Sequence, residues 1–242
     1  MTTDVIIGVI SDAHGNVSDL KNAIKLCKQN GATTIYYLGD SLGYIPTTAA
    51  LNLIIQDYSE VKSILGNHEC DILNNKITSR KDLVKKHNEI RTSLTEVQLN
   101  FLNALPRFIE ETFGDLKVLF IHGSPADFVH GYLYEDSELK GTFPLEGFDI
   151  IFMGNTHIPY IRSHEKHTLI NVGSVGLPRD NGKYGSVAIM NTEKRFVEIQ
   201  RFRLSTSKEI LKQTFGELVH EDVYRVFDRE EDVKLSVKEY IK

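Results

Sequence analysis

The strongest constraint on this chain is where its reactive side chains fall. Short apolar runs are followed at once by clusters of Asp, Asn, His and Gly. Val5–Ile10 leads into Ser11-Asp12-Ala13-His14-Gly15-Asn16, Thr33–Leu38 into Gly39-Asp40, and Val61–Leu65 into Gly66-Asn67-His68-Glu69. Leu116–Ile121 is followed by His122, and Ile150–Met153 by Asn155 and His157. Short β-branched runs bounded by turn residues read as buried strands. In open α/β sheets the binding crevice lies outside the carboxyl ends of the strands. Five strand ends can therefore deliver five polar clusters to one place.

The stretches between these runs set the architecture. Leu20, Ala23, Ile24 and Cys27 recur at helical spacing, and Gly31 suits the end of that helix. Pro46 is expected to open a second helix that runs through Asp57, since proline is tolerated in a first turn. A strand–helix–strand–helix–strand order implies parallel strands joined by right-handed crossovers. Residues 70–90 are polar and irregular, and read as a solvated cap or mobile loop. Thr95-Glu96-Val97-Gln98 has the capping-box pattern before a helix with Leu99, Leu102 and Leu105, which Pro106 stops.

The second half changes character. Phe108–Phe113 and Leu116–Ile121 flank the turn dipeptide Gly114-Asp115 and predict a hairpin. Asp149–Met153, Tyr160–Ser163, Leu169–Val172, Ser186–Met190 and Phe196–Phe202 read as further strands. The expected fold is α/β, with two mixed β-sheets packed as a sandwich and flanked by helices. Residues 1–204 are expected to form the domain, and residues 205–242 a C-terminal helical appendage. Leu211, Phe215, Leu218, Val223, Val226 and Phe227 predict that this appendage docks on the domain or on a second subunit.

Composition narrows the function classes. The 242 residues are 41% hydrophobic and 25% charged, ordinary for a globular chain with a core. The formal net charge of −5 carries no basic footprint, so no stable nucleic-acid complex is expected. Two cysteines, Cys27 and Cys70, are too few for a disulfide framework and have no CxxC spacing. No basic, apolar leader precedes Val5, and no apolar run reaches the ~18 residues of a membrane span. A cytoplasmic protein without a membrane partner is expected.

Each polar cluster alone has an ordinary reading. Asp12 and His14 could cap a helix or a turn, Gly39-Asp40 is a common turn pair, and His122 or His157 could be a hydrogen-bonded loop histidine. As a set, these stretches resemble the calcineurin-like metallophosphoesterase superfamily, in particular its small bacterial and archaeal phosphodiesterase-like branch. The carriers are SDAHGN at Ser11–Asn16, LGDSLGY at Leu38–Tyr44, LGNHE at Leu65–Glu69, IHGSP at Ile121–Pro125, MGNTH at Met153–His157 and INVGSVGLPRDN at Ile170–Asn181. They span Val5 to Phe202 in matching order.

The resemblance implies a divalent-metal-dependent phosphoesterase with two ions drawn from Mn, Fe, Ni or Zn. One ion would be held by Asp12, His14, Asp40 and His157, and the other by Asp40, Asn67, His122 and the residue at Asn155. The family carries histidine at that last position, and an amide oxygen there favours harder ions. A metal-bridging hydroxide is the implied nucleophile and His68 the implied general acid, with Glu69 able to orient it. Asn16 and Arg179 are candidate substrate contacts, as are Tyr44, Tyr132 and Tyr134. His87, His130, His164, His167 and His220 match no motif and are read as structural or solvated.

The implied substrate is a small phosphate ester or nucleotide, and a homo-oligomer is allowed. Alternatives are a serine/threonine-type protein phosphatase, a dinucleoside-polyphosphate hydrolase, or a catalytically weak scaffold of the same fold. Leu65 weakens the protein-phosphatase reading, because those enzymes usually carry Arg before GNH. Asn155 keeps the scaffold reading open, while His68 and the other matched ligands oppose it.

Overall fold

In the computed structural model, which describes residues 5–74, 81–139 and 146–241, two mixed sheets pack face to face. The first sheet holds β1 (Ile6–Ile10), β2 (Thr34–Tyr37), β3 (Lys62–Ser63), β9 (Tyr184–Asn191), β10 (Phe196–Arg203) and β11 (Ser236–Tyr240), in the order β11-β10-β9-β1-β2-β3. The β1–β2 and β2–β3 pairs are parallel, as the crossover reading requires, and the other pairs are antiparallel. The second sheet runs β4 (Phe108–Phe113), β5 (Leu116–Ile121), β6 (Ile150–Met153), β8 (His167–Asn171) and β7 (Tyr160–His164). Its β5–β6 and β6–β8 pairs are parallel, and the predicted hairpin pairs β4 with β5 antiparallel.

Strand alternation explains why two sheets form. Ile7 and Val9 of β1 face Val118 and Phe120 of β5 and Ile150 and Phe152 of β6 in one buried cluster between the sheets. Tyr36 stacks on Phe120 there, with ring centroids 3.9 Å apart. Ile10, Ile35 and Tyr37 point the other way, onto Leu20, Ala23, Ile24 and Cys27 of α1 (Val17–Gln29) and onto Ala50, Leu53 and Ile54 of α2 (Ala49–Asp57). Successive strand residues face opposite sides, so the central strands β1, β2 and β9 each serve two apolar layers. Among the described residues no helix is long and apolar enough to cross a membrane.

Several boundaries differ from the sequence expectation. The second helix begins at Ala49 with Thr48 at its N-cap, three residues beyond Pro46. The strand expected over 61–65 pairs only through Lys62 and Ser63. The polar stretch expected as a loop forms α3 (Asn67–Asn74) and α4 (Lys81–Ser93), while residues 75–80 lie outside the described residues. The capping box at Thr95 and Gln98 opens α5 (Glu96–Ala104) as expected.

The segment after Ser205 is only partly helical. It holds α6 (Lys208–Phe215), a 3-10 turn at Gly216–Leu218 and α7 (Glu221–Val226), then returns as β11 at the edge of the first sheet. Leu211, Val223, Tyr224 and Phe227 pack on Ile45 and Leu177 of the domain. Asp19 pins the start of the segment, accepting from Ser205 N at 2.7 Å and Thr206 N at 3.1 Å.

Candidate metal centre

Backbone conformation aims the site residues. Asp12, His14, Asp40, Asn155 and His157 all have left-handed φ, between 47° and 63°, a region shared among the described non-glycine residues only by Glu165 and Arg195. Asp, Asn and His tolerate this region best. It still costs on the order of 1–3 kcal/mol per residue and persists only where the surroundings enforce it. Cross-loop hydrogen bonds do so: Asp12 N donates to Gly39 O at 3.1 Å, His14 N to Asp40 O at 2.8 Å, and Gly154 N to His122 O at 2.9 Å. Gly66 lets the third loop close in, because a Cβ there would lie 2.1 Å from Asp40 Oδ1.

The result is a buried convergence of donors. Asp12, His14 and His157 form one group and Asp12, Asp40 and His122 another, and the donor atoms in each lie within 4.8 Å of one another. Asp40 Oδ2 stands 3.5 Å from His14 Nε2 and 3.4 Å from His122 Nε2, so it lies between the two groups. Asn67 Oδ1 lies 2.9 Å from His122 Nε2.

Three histidines share one outer arrangement. His14 Nδ1 donates to Leu42 O at 3.0 Å, His122 Nδ1 to Leu38 O at 2.7 Å and His157 Nδ1 to Leu177 O at 2.6 Å. A carbonyl oxygen only accepts, so each Nδ1 carries hydrogen and each neutral ring turns its Nε2 lone pair inward. This is the orientation that metal-ligating histidines adopt.

The donor set fits cations. His14 Nε2 and His157 Nε2 face each other at 3.0 Å, and Asp12 Oδ1 lies 3.2 Å from the latter, buried and without a hydrogen bond. Two lone pairs and a bare carboxylate oxygen repel one another unless positive charge lies among them.

Electrostatics point the same way. Burial opposes ionisation of Asp12, but His157 and His122 outweigh it and hold the carboxyl well below its usual range. Asp40 is lowered likewise, against burial, by His122 and His68. Burial also opposes charge on His122, yet the Asp40 and Asp12 carboxylates push it up to about 10. Burial and the Arg179 guanidinium push His157 down to about 4.

Glu69 is part of the scaffold rather than a partner of the His68 ring. Its carboxylate accepts from Asp40 N at 2.9 Å, Gly66 N at 3.1 Å, Leu42 N at 3.0 Å and Ser41 Oγ at 2.8 Å. Asn16, a candidate substrate contact by resemblance, is buried. It caps α1 through Asp19 N at 3.3 Å, donates to Gly176 O and accepts from Thr206 Oγ1, so both ends of the amide are spent on structure. Asn155 gives its amide nitrogen to Gly131 O at 2.8 Å, which leaves only the amide oxygen as a donor to an ion.

Arg179 stands at the rim, half-buried, donating to Tyr44 Oη at 3.0 Å, and the Tyr44 ring lies 4.7 Å from those of His14 and His68. Tyr132 and Tyr134 are exposed neighbours of one another, with centroids 6.4 Å apart.

One neighbour was missed in the sequence. His87 on α4, read as structural or solvated, is buried and places Nε2 at 2.9 Å from His68 Nδ1. The available signal was its place three residues before Ile90, which is buried like it. Of the other unmatched histidines, His130 pairs with Asp71 at 3.0 Å, His167 bonds Phe148 O, and His220 caps α7.

Comparison with known proteins agrees with this geometry. The calcineurin-like phosphoesterase superfamily domain matches residues 5–195. An uncharacterized protein of Methanocaldococcus jannaschii is 30% identical, over 90% of this chain and 97% of its own. Two solved structures share the fold: a metallophosphoesterase from Sphaerobacter thermophilus (TM-score 0.75, 22% identity, 93% of this chain and 99% of that one) and a hypothetical protein from Pyrococcus horikoshii (TM-score 0.77, 18% identity, 92% and 97%). The motifs, the fold and the buried donor set thus have one source: this chain belongs to the calcineurin-like phosphoesterase superfamily and is a metal-dependent phosphoester hydrolase.

Proposed function

We propose that the protein is a phosphodiesterase acting on a small phosphate ester or nucleotide at a two-metal site. The observation that carries this reading is the position of Asp40 between two convergent donor groups. Asp12, His14 and His157 would hold one ion with Asp40. Asn67, His122 and the Asn155 oxygen would hold the other with Asp40. Mixed nitrogen and oxygen donors suit Mn, Fe, Ni or Zn. When bound, two such ions supply the charge that holds a phosphoryl group and acidify the attacking water.

The chain's own residues do the rest. Loop strain and the Glu69 clamp hold the donors in place before substrate arrives, so little reorganisation accompanies reaction. Arg179 at the rim offers a fixed cation to a phosphate oxygen, steadied by Tyr44. His68 turns Nε2 toward Asp40 at 4.0 Å, and from there its N–H donates a hydrogen bond to the leaving oxygen as charge develops on it.

The test is turnover of bis-p-nitrophenyl phosphate, p-nitrophenyl phosphate and a nucleotide panel, with Mn²⁺, Fe²⁺, Ni²⁺ or Zn²⁺ supplied singly. The expected result is metal-dependent cleavage of the diester faster than of the monoester, lost in Asp40→Ala together with most bound metal. Full metal content and normal turnover in Asp40→Ala would overturn the two-metal reading. Faster cleavage of the monoester would overturn the preference for diesters.

A further inference from the structure

His68 is built unlike the other site histidines. His14, His122 and His157 each give Nδ1–H to a backbone carbonyl. His68 Nδ1 instead meets another nitrogen, His87 Nε2, at 2.9 Å, with the rings crossed at 78°. Both rings are buried, at 4% and 5% exposure. By distance alone His68 could join His14 and Asp40 as a metal ligand, so something must decide between ligand and hydrogen-bond donor.

Two nitrogens at hydrogen-bond distance share one hydrogen, and the surroundings of His87 decide which ring owns it. His87 Nδ1 is buried and has no hydrogen-bond partner among the described residues. A hydrogen placed there would be an orphaned buried donor, which folded proteins almost never keep, whereas a bare lone pair is tolerated better. The His87 hydrogen therefore sits on Nε2 and is donated to His68 Nδ1. With Nδ1 accepting, neutral His68 carries its own hydrogen on Nε2, the nitrogen that faces Asp40.

The loop that carries Asp40 offers no competing side chain at this point. Gly43 (φ 130°) lies against the ring, and a Cβ there would stand 2.5 Å from His68 Nδ1. The partner comes instead from α4.

We infer that His87 is a positioning residue: it fixes His68 as the Nε2–H tautomer, unlike the three rings that give Nδ1–H to carbonyls, and thereby assigns the His68 Nε2–H to a hydrogen bond with the substrate's leaving oxygen, which takes its proton from solvent, rather than assigning His68 to a metal. This rests on the phosphoesterase reading for its kinetic consequence but not for the ring geometry. His87→Leu removes the donor. His87→Gln keeps an amide N–H near the place of Nε2 and should restore function.

Long-range ¹H–¹⁵N spectra of the histidine rings, with and without Zn²⁺, read the tautomer directly, and His68→Asn assigns the resonance. The expected wild-type result is His68 protonated on Nε2, with that preference weakened in His87→Leu and kept in His87→Gln. In kinetics, His87→Leu should lose about 10–100-fold on an alkyl phosphodiester, much less on a p-nitrophenyl ester whose leaving anion needs little stabilisation, and no metal. A wild-type His68 protonated on Nδ1, or a zinc-shifted Nε2 resonance, overturns the inference even if the leucine variant does not fold. So does a loss that is equal for both leaving groups, or one accompanied by loss of metal. If no phosphate ester is cleaved, the functional reading fails while the ring spectra still decide the role of His87.

Discussion

Glu69 holds Asp40 by its backbone: Oε2 accepts the Asp40 N–H at 2.9 Å, and the same carboxylate gathers Gly66 N, Leu42 N and Ser41 Oγ. Among the described residues four donors face this one carboxylate. Glu69→Gln inserts an NH2 among donors, and Glu69→Ala leaves buried N–H groups without partners at ~1–3 kcal/mol each. Both variants should lose about 2–4 kcal/mol of stability and weaken metal binding about 10–100-fold. Denaturant titration and metal calorimetry check this. An unchanged midpoint with unchanged metal affinity would show that the clamp is dispensable.

Metal uptake should expel a proton. Against burial, Asp40 and Asp12 push His122 up to about 10, so without metal its ring is protonated at pH 7 to 9. A ligating imidazole must be neutral. Apparent affinity should therefore rise with pH up to about 10, by close to tenfold per pH unit for the site that uses His122. Calorimetry in buffers of different ionisation enthalpy counts the proton. His122→Asn should remove both the proton release and this pH dependence.

The two ions should differ in retention. Asn155 spends its amide nitrogen on Gly131 and offers at most one oxygen, while Asp12, His14 and His157 converge fully. One metal should survive purification and the other should be stripped by mild chelation. Asn155→His should tighten the weaker site about 10–100-fold. Identical two-site isotherms for wild type and Asn155→His would remove Asn155 from the coordination.

The C-terminal segment should stabilise the site from beneath. Leu211, Val223, Tyr224 and Phe227 cover Leu177, whose carbonyl holds His157 Nδ1. Burial of such side chains contributes ~1.5–3 kcal/mol each as an upper estimate. A chain ending at residue 204 should melt about 10 °C lower or more, and should bind the His157-dependent metal more weakly. Equal melting temperatures and equal metal content would show the segment to be passive.

The sequence by itself determined the parts of this protein that are written in consecutive residues. Apolar runs ending in Asp12 and His14, Asp40, Asn67 and His122 marked the candidate centre, because a strand end and the loop after it are local features. The Thr95 capping box and the Gly114-Asp115 turn were legible for the same reason. Tertiary structure decided what depends on distant partners. Pro46 permits a first turn, yet the helix waits for Thr48 and Ala49. Asn16 is a candidate substrate contact by resemblance, and only the fold brings Gly176 and Thr206 to its amide. The charged tail read as helix throughout, but an open edge of β10 drew its last residues into β11. His87 looked like one polar residue on a polar helix. It acquires a role only when α4 is laid across α3, because the hydrogen bond that orients His68 joins residues 19 apart in sequence, and no local periodicity records it.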